Sequence, residues 1–208
     1  MRHYRSWLLA LAHAVLLLPS ARAENPLPIE RPVRIYLMRG YGGTMTSSGI
    51  DEIGRKLQKQ MPERPIMVGN WEDWEFFVAD ALANRAARVV LVGFSKGSEA
   101  AAQAAGELAS RQIRVKVIGL DPFCMAPVVA RLPEIEAINF YRNSCGSVAD
   151  GTMAGAENVR LGDTGSGLSD HLAVQHDPAV QALVVEAALG GASDDPTREK
   201  RAQRLSRR

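Results

Sequence analysis

Short apolar runs alternate with amphipathic stretches along most of this chain. Val33 to Met38 (VRIYLM) reads as a strand with a β-branched start. Ile50, Ile53, Leu57 and Met61 then fall on one face of a helix that Ser48 can cap, with Asp51 three residues on. Pro65 to Gly69 is a second strand. Asn70 precedes a helical stripe of Trp74, Phe77, Val78, Ala81 and Leu82. Arg88 to Gly93 is a third strand. The helix after it, Ser95 to Ser110, has a face of small residues, Ala101, Ala104, Ala105 and Leu108, that suits close packing on a sheet. Ile113 to Leu120, Glu136 to Tyr141 and Asn158 to Leu161 are three further strands. Residues 162–170 read as loop. Pro178 opens a last helix that Gly190-Gly191 should stop. Strands and helices alternating at this spacing predict an α/β fold: a mostly parallel central sheet of about six strands with helices on both faces.

Composition fits one folded domain. Of 208 residues, 46% are hydrophobic and 23% charged, as in ordinary globular proteins and unlike disordered ones. Three segments are expected. Residues 1–23 read as a secretory signal peptide: Arg2 and Arg5 lead, Leu8 to Leu18 is apolar, and Ala21-Arg22-Ala23 is an A-x-A cleavage site. Residues 24–191 form the domain. Residues 192–208 are a basic tail, expected to be disordered. No later stretch is long and apolar enough for a membrane span, so an exported protein, periplasmic or secreted, is expected. Removing Arg2, Arg5 and Arg22 leaves 22 basic residues against 23 acidic ones, a formal charge of −1. Six of those bases lie among the last eleven residues, so the body is mildly acidic and nothing in the charge points to nucleic acid. In an oxidising compartment, Cys124 and Cys145 invite a disulfide. No zinc-ligand spacing is present, and no cofactor is called for.

The candidate chemistry lies at residues 88–108 (RVVLVGFSKGSEAAAQAAGEL). Gly93-Phe94-Ser95-Lys96-Gly97 is a G-x-S-x-G pattern between a strand and a helix, the nucleophile-elbow context. Such a turn holds Ser95 at the carboxyl edge of the sheet and directs the Lys96 N–H at an oxygen that becomes negative. A serine hydroxyl is a weak nucleophile and needs a base oriented by a carboxylate. Beyond the signal only His171 and His176 remain. His171, at the end of the glycine- and serine-bearing loop, is preferred over His176, which flanks the cap residue Asp177. Asp121 follows directly on an apolar strand and is the preferred acid, giving the chain order Ser95, Asp121, His171. Asp150, Asp163 and Asp170 are its rivals. A second oxyanion donor is expected from the early glycine-rich loop Arg39 to Thr44, with the Tyr41 N–H favoured. That loop lacks a phosphate-binding signature.

MRGYGG, VGFSKGS, VIGLDP and the late His171 together resemble an α/β-hydrolase, and a minimal one, over about residues 33–189. The resemblance implies the strand order second, first, third, fourth, fifth, sixth. VIGLDP is similar to pancreatic-type lipases, which carry the triad acid after the strand following the nucleophile. Many other members carry it one strand later. Here Arg142, Asn143 and Ser144 occupy that place and none is acidic. An HGGG signature and a large cap domain are both missing from the chain.

The expected activity is cleavage of carboxylic esters or thioesters through an acyl-enzyme on Ser95, His171 and Asp121, acting on a small-molecule or acylated substrate. The alternatives are a non-catalytic secreted module of the same fold, or a peptidase or amidase using the same residues. The Pro122 to Pro133 segment is too short for a substantial lid, which favours an open site. Trp71, Trp74, Phe76 and Phe77 are candidates for an acyl pocket or, more ordinarily, helix core.

Overall fold

The computed structural model describes residues 32–142, 151–162 and 167–192. The signal-like segment, the basic tail, Cys145, Asp150 and Asp163 lie outside the described residues.

Six strands form one sheet: β1 (Val33–Arg39), β2 (Ile66–Asn70), β3 (Arg88–Phe94), β4 (Arg114–Leu120), β5 (Ile135–Tyr141) and β6 (Glu157–Arg160). Their order is β2-β1-β3-β4-β5-β6 and every pairing is parallel. Among the described residues five α-helices accompany them: α1 (Thr44–Gln60), α2 (Trp74–Ala83), α3 (Lys96–Ser110), α4 (Gly167–Val174) and α5 (Pro178–Ala192). This is an open α/β sheet, in the strand order that the resemblance implies.

Alternation along the central strands produces two cores. Ile35 and Leu37 of β1, Val90 and Val92 of β3, and Ile118 and Leu120 of β4 face α1 and α5. Tyr36, Met38, Val89, Leu91, Val115 and Val117 point the other way, onto the alanine face of α3 and onto Phe77, Val78 and Ala81 of α2. Both faces of a parallel strand are buried, so these strands carry nearly unbroken apolar runs in which the period of two is invisible.

Three element boundaries depart from the sequence reading. Helix α1 begins at Thr44, and Ser47 interrupts it with φ −129°, ψ 29°. The serine signal therefore marks a kink, where Ser47 Oγ turns inward to accept from the Gly40 N–H at 3.1 Å. Ser48 is exposed. Residues 167–174, read as loop up to position 170, form α4. Eight residues are too few to announce a helix by periodicity and too few to hold one without tertiary packing. Helix α5 runs through Gly190 and Gly191. The helical loss at glycine, about 1 kcal/mol each, is outweighed by an apolar face that includes Val184, Ala188 and Leu189 in the core. The expected Asn70 cap is present on the 3-10 turn Trp71–Asp73 that leads into α2: Asp73 and Asn70 form a reciprocal capping box, with the Asn70 N–H on Asp73 Oδ2 at 2.7 Å.

The sheet grows outward in two directions from β1, to β2 on one side and β3 on the other. The loops after β1 and β3 therefore lead to opposite faces, to α1 and to α3, and the carboxyl edge between them is where open parallel sheets form a ligand crevice.

Candidate active site

Ser95 stands at that crevice, between the end of β3 and the first residue of α3. Its backbone is left-handed, φ 55° and ψ −124°, a conformation that non-glycine residues hold only when their surroundings enforce it. The enforcement is visible on both sides. Ser95 N–H continues the ladder to Leu120 O at 3.0 Å, and Ser98 N–H returns to Ser95 O at 2.9 Å. A Cβ on Gly93 would lie 2.1 Å from the Gly97 carbonyl oxygen, and one on Gly97 would lie 2.2 Å from that of Met38. Only glycine lets helix and strand approach this closely.

The loop after β1 closes on the same serine. A Cβ on Gly40 would sit 2.8 Å from Ser95 Cβ and 3.2 Å from its Oγ. Tyr41 follows at once and is largely exposed, its ring edge-on to Trp71 at 5.6 Å. Lys96 is the first residue of α3, so its N–H has no acceptor within the helix and sits at the helix's positive end. The Lys96 ammonium leans away, pairing with Glu99 and lying 5.4 Å above the Trp71 ring.

Asp121 and His171 are in direct contact. Nδ1 of His171 is 2.8 Å from Oδ2 of Asp121, and both side chains are buried. A carboxylate only accepts, so the shared proton belongs to Nδ1 and the Nε2 lone pair is left free. Asp121, like Ser95, has a left-handed backbone, φ 45°. Its N–H extends the sheet to Phe140 O at 2.8 Å, and its Oδ1 accepts from the Arg142 N–H at 3.1 Å. The His171 ring lies between two aromatic rings, Phe94 at 4.7 Å and Phe123 at 4.5 Å, both stacked. Phe94 is the last residue of β3, immediately before Ser95, so this stack sets the imidazole against the end of that strand.

The two rivals among the described residues lie elsewhere. His176 is half-exposed, its Nδ1 3.4 Å from Glu52 Oε1. The Glu52 carboxyl is held below its usual value first by a hydrogen bond from Gln181, with burial opposing and the His176 charge assisting. Asp170 is buried but turned onto the Arg142 guanidinium at 3.1 Å.

Of the four aromatic pocket candidates, Phe77 belongs to the core, stacked on Tyr36 at 4.9 Å, and Trp74 packs beside it. Phe76 is exposed, and Trp71 alone borders the site through Tyr41 and Lys96. A groove of about 450 Å³ runs along the flank of α3, between Glu99–Gln103 and Met125–Val128. Neither Ser95 nor His171 lines it. Among the described residues there is no cluster of three or more metal-ligating side chains, and no helix long and apolar enough to cross a membrane.

No protein-family model matches the chain, and no curated protein matches it. What the site does is therefore argued from its own geometry.

Three contributors escaped the sequence reading. Phe123 and Phe94 orient the imidazole, yet each looks like an ordinary apolar residue in the sequence. Arg142 was read only as a position lacking an acid. Its contacts to Asp121, Asp170 and Asp177 (Nη2 to Oδ2, 2.9 Å) join three segments distant in sequence. Cys124 is disulfide-bonded. Its expected partner, Cys145, lies outside the described residues.

Proposed function

We propose that this protein is an exported serine hydrolase of the α/β-hydrolase type, cleaving carboxylic esters or thioesters through an acyl-enzyme. The observation that carries the reading is the Asp121–His171 hydrogen bond, its imidazole stacked on Phe94, beside a serine in a strained elbow. Acid and base without the elbow would be a buried ion pair. An elbow without them would be a tight turn.

In this mechanism Ser95 Oγ attacks the acyl carbon as His171 Nε2 takes its proton. Asp121 keeps Nδ1 protonated and stabilises the imidazolium that forms. The tetrahedral oxyanion is held by the N–H groups of Lys96 and Tyr41, each such donor being worth about 3 kcal/mol of barrier. His171 then returns the proton to the leaving alkoxide or thiolate. Water attacks the acyl-Ser95 by the same path in reverse and releases the acid. The residues supply a nucleophile, a proton carrier and an anion site, so the mechanism calls on no cofactor. Export rests on residues 1–23, whose n-region, apolar core and A-x-A site have the signal-peptide pattern. The Pro122 to Pro133 segment, too short for a substantial lid, favours small or surface-presented acyl groups.

The test is labelling of the mature protein by a fluorophosphonate beside a Ser95→Ala variant. Labelling of the wild type alone is expected. An unlabelled wild type removes the enzymatic reading, and a labelled Ser95→Ala variant removes Ser95. A p-nitrophenyl ester series of rising chain length then defines the acyl preference.

A further inference from the structure

We infer that Arg142 is a positioning residue for the Asp121–His171 pair, gripping the acid through its backbone and the base through the helix that bears it. The inference rests on the hydrolase reading above and deepens the account of that same site.

Arg142 is the first residue beyond β5. Parallel register pairs Leu120 with Phe140, and Asp121 N–H bonds to Phe140 O, so Arg142 arrives beside the Asp121 side chain. Its N–H donates to Oδ1 of Asp121, the oxygen turned away from His171. The carboxylate is thus held at both oxygens, which fixes its plane. The Arg142 side chain continues to Oδ1 of Asp170 at 3.1 Å and Oδ2 of Asp177 at 2.9 Å. Asp170 immediately precedes His171 on α4. Asp177 caps α5, its Oδ1 accepting from Ala179 N–H at 2.9 Å. One arginine therefore ties the acid, the residue beside the base and the start of the next helix into one unit.

The energetics favour positioning over stability as its role. Arg142 is 3% exposed and the Asp170 side chain 1%. Desolvating such a pair consumes most of what its attraction returns, so apolar residues would stabilise the fold as well or better. What the pair supplies is a fixed geometry: two planar groups, both buried, with little rotational freedom. Helix α4 needs that constraint, since eight residues do not hold a helical axis alone. Imidazole, carboxylate and serine must be aligned to within about half an ångström for efficient proton transfer, and a misplacement of about 1 Å lowers the rate about 10²-fold.

The experiment compares the mature wild-type protein with Arg142→Met, Arg142→Lys and the neutral variant Arg142→Met/Asp170→Asn/Asp177→Asn. The last removes both carboxylates along with the guanidinium, so that neither side of the Arg142–Asp170 pair is left buried without the other. Thermal unfolding checks integrity. Proton NMR reads the downfield His171 Nδ1–H resonance, and p-nitrophenyl acetate hydrolysis gives kcat and KM. The resonance should be sharp in the wild type, lost to exchange in Arg142→Met and the neutral variant, and intermediate in Arg142→Lys. In parallel kcat should fall about 10²-fold with KM nearly constant, and lysine should recover part of it. A folded Arg142→Lys or neutral variant with the wild-type resonance overturns the inference, whatever its kcat. If the wild type hydrolyses no ester, the hydrolase reading fails, and the resonance still decides whether Arg142 positions the pair.

Discussion

Nδ1 of His171 lies 2.8 Å from Oδ2 of Asp121 although fifty residues of chain separate them, and both side chains are almost wholly withdrawn from water. A buried carboxylate facing an imidazole fixes which ring nitrogen carries the proton. Asparagine in place of Asp121 keeps an oxygen for the Arg142 N–H but offers His171 an N–H instead of an acceptor. The imidazole must then protonate Nε2 and cannot accept from Ser95. Asp121→Asn should lower kcat/KM on p-nitrophenyl acetate by on the order of 10⁴-fold with unfolding little changed. A drop under tenfold in a folded variant would refute the acid assignment.

The two mature histidines should separate completely. His171→Ala removes the proton carrier and should reduce fluorophosphonate labelling at least about 10³-fold. His176 sits at the surface against Glu52, so His176→Ala should label within about threefold of wild type, surface changes rarely exceeding about 0.5 kcal/mol. The reverse pattern would transfer the base to His176.

Two glycine substitutions should act with opposite sign. A Cβ at Gly93 meets the Gly97 carbonyl oxygen at 2.1 Å, backbone against backbone, with no side chain able to give way. Gly93→Ala should lose about 3 kcal/mol or more of stability. Gly106 lies within α3 with nothing within 4 Å of an added Cβ, so Gly106→Ala should gain about 0.5–1 kcal/mol from helix propensity. Urea unfolding midpoints read both.

Tyr36 should govern part of the alkaline limit of stability. Its hydroxyl donates to Asp80 Oδ2 at 2.6 Å within the fold. Burial first, then that bond and the Asp80 charge, push its pKa well above the ordinary value. The folded-state pKa thus exceeds the unfolded one, near 10. The contribution is intact below about pH 10 and is lost above it at about 1.4 kcal/mol per pH unit, because only the unfolded chain releases the proton there. Tyr36→Phe should flatten the fall of unfolding free energy between about pH 10 and 11 by that slope. Equal slopes in the two proteins would exclude Tyr36 as its source.

The disulfide at Cys124 stands beside the site, since Phe123 stacks on His171. If Cys145 is the partner, opening the bond frees the segment carrying Phe123 and lowers stability by about 3 kcal/mol on the chain-entropy estimate. Non-reducing peptide mapping should recover Cys124 and Cys145 in one linked peptide, and dithiothreitol should lower the Tm and slow labelling of Ser95 together. Unchanged labelling after full reduction would limit the bond to a role in stability.

The sequence by itself determined the sheet, the helices other than α4, and the elbow. These depend on local patterns: apolar runs for strands buried on both faces, small residues on α3, and two glycines whose necessity is steric. It also narrowed the candidate bases to two residues, because only two histidines follow the A-x-A site. Tertiary structure decided the rest. Among the candidate acids, Asp121 and Asp170 differ in where each carboxylate points: one faces the imidazole, the other the Arg142 guanidinium. Helix α4 was not legible, since a one-to-two-turn helix draws its stability from what it packs against. Arg142, Phe94 and Phe123 were invisible as a set. Each is unremarkable in its own stretch, and they converge only where the ends of β3, β4 and β5 and helix α4 come together at one edge of the sheet.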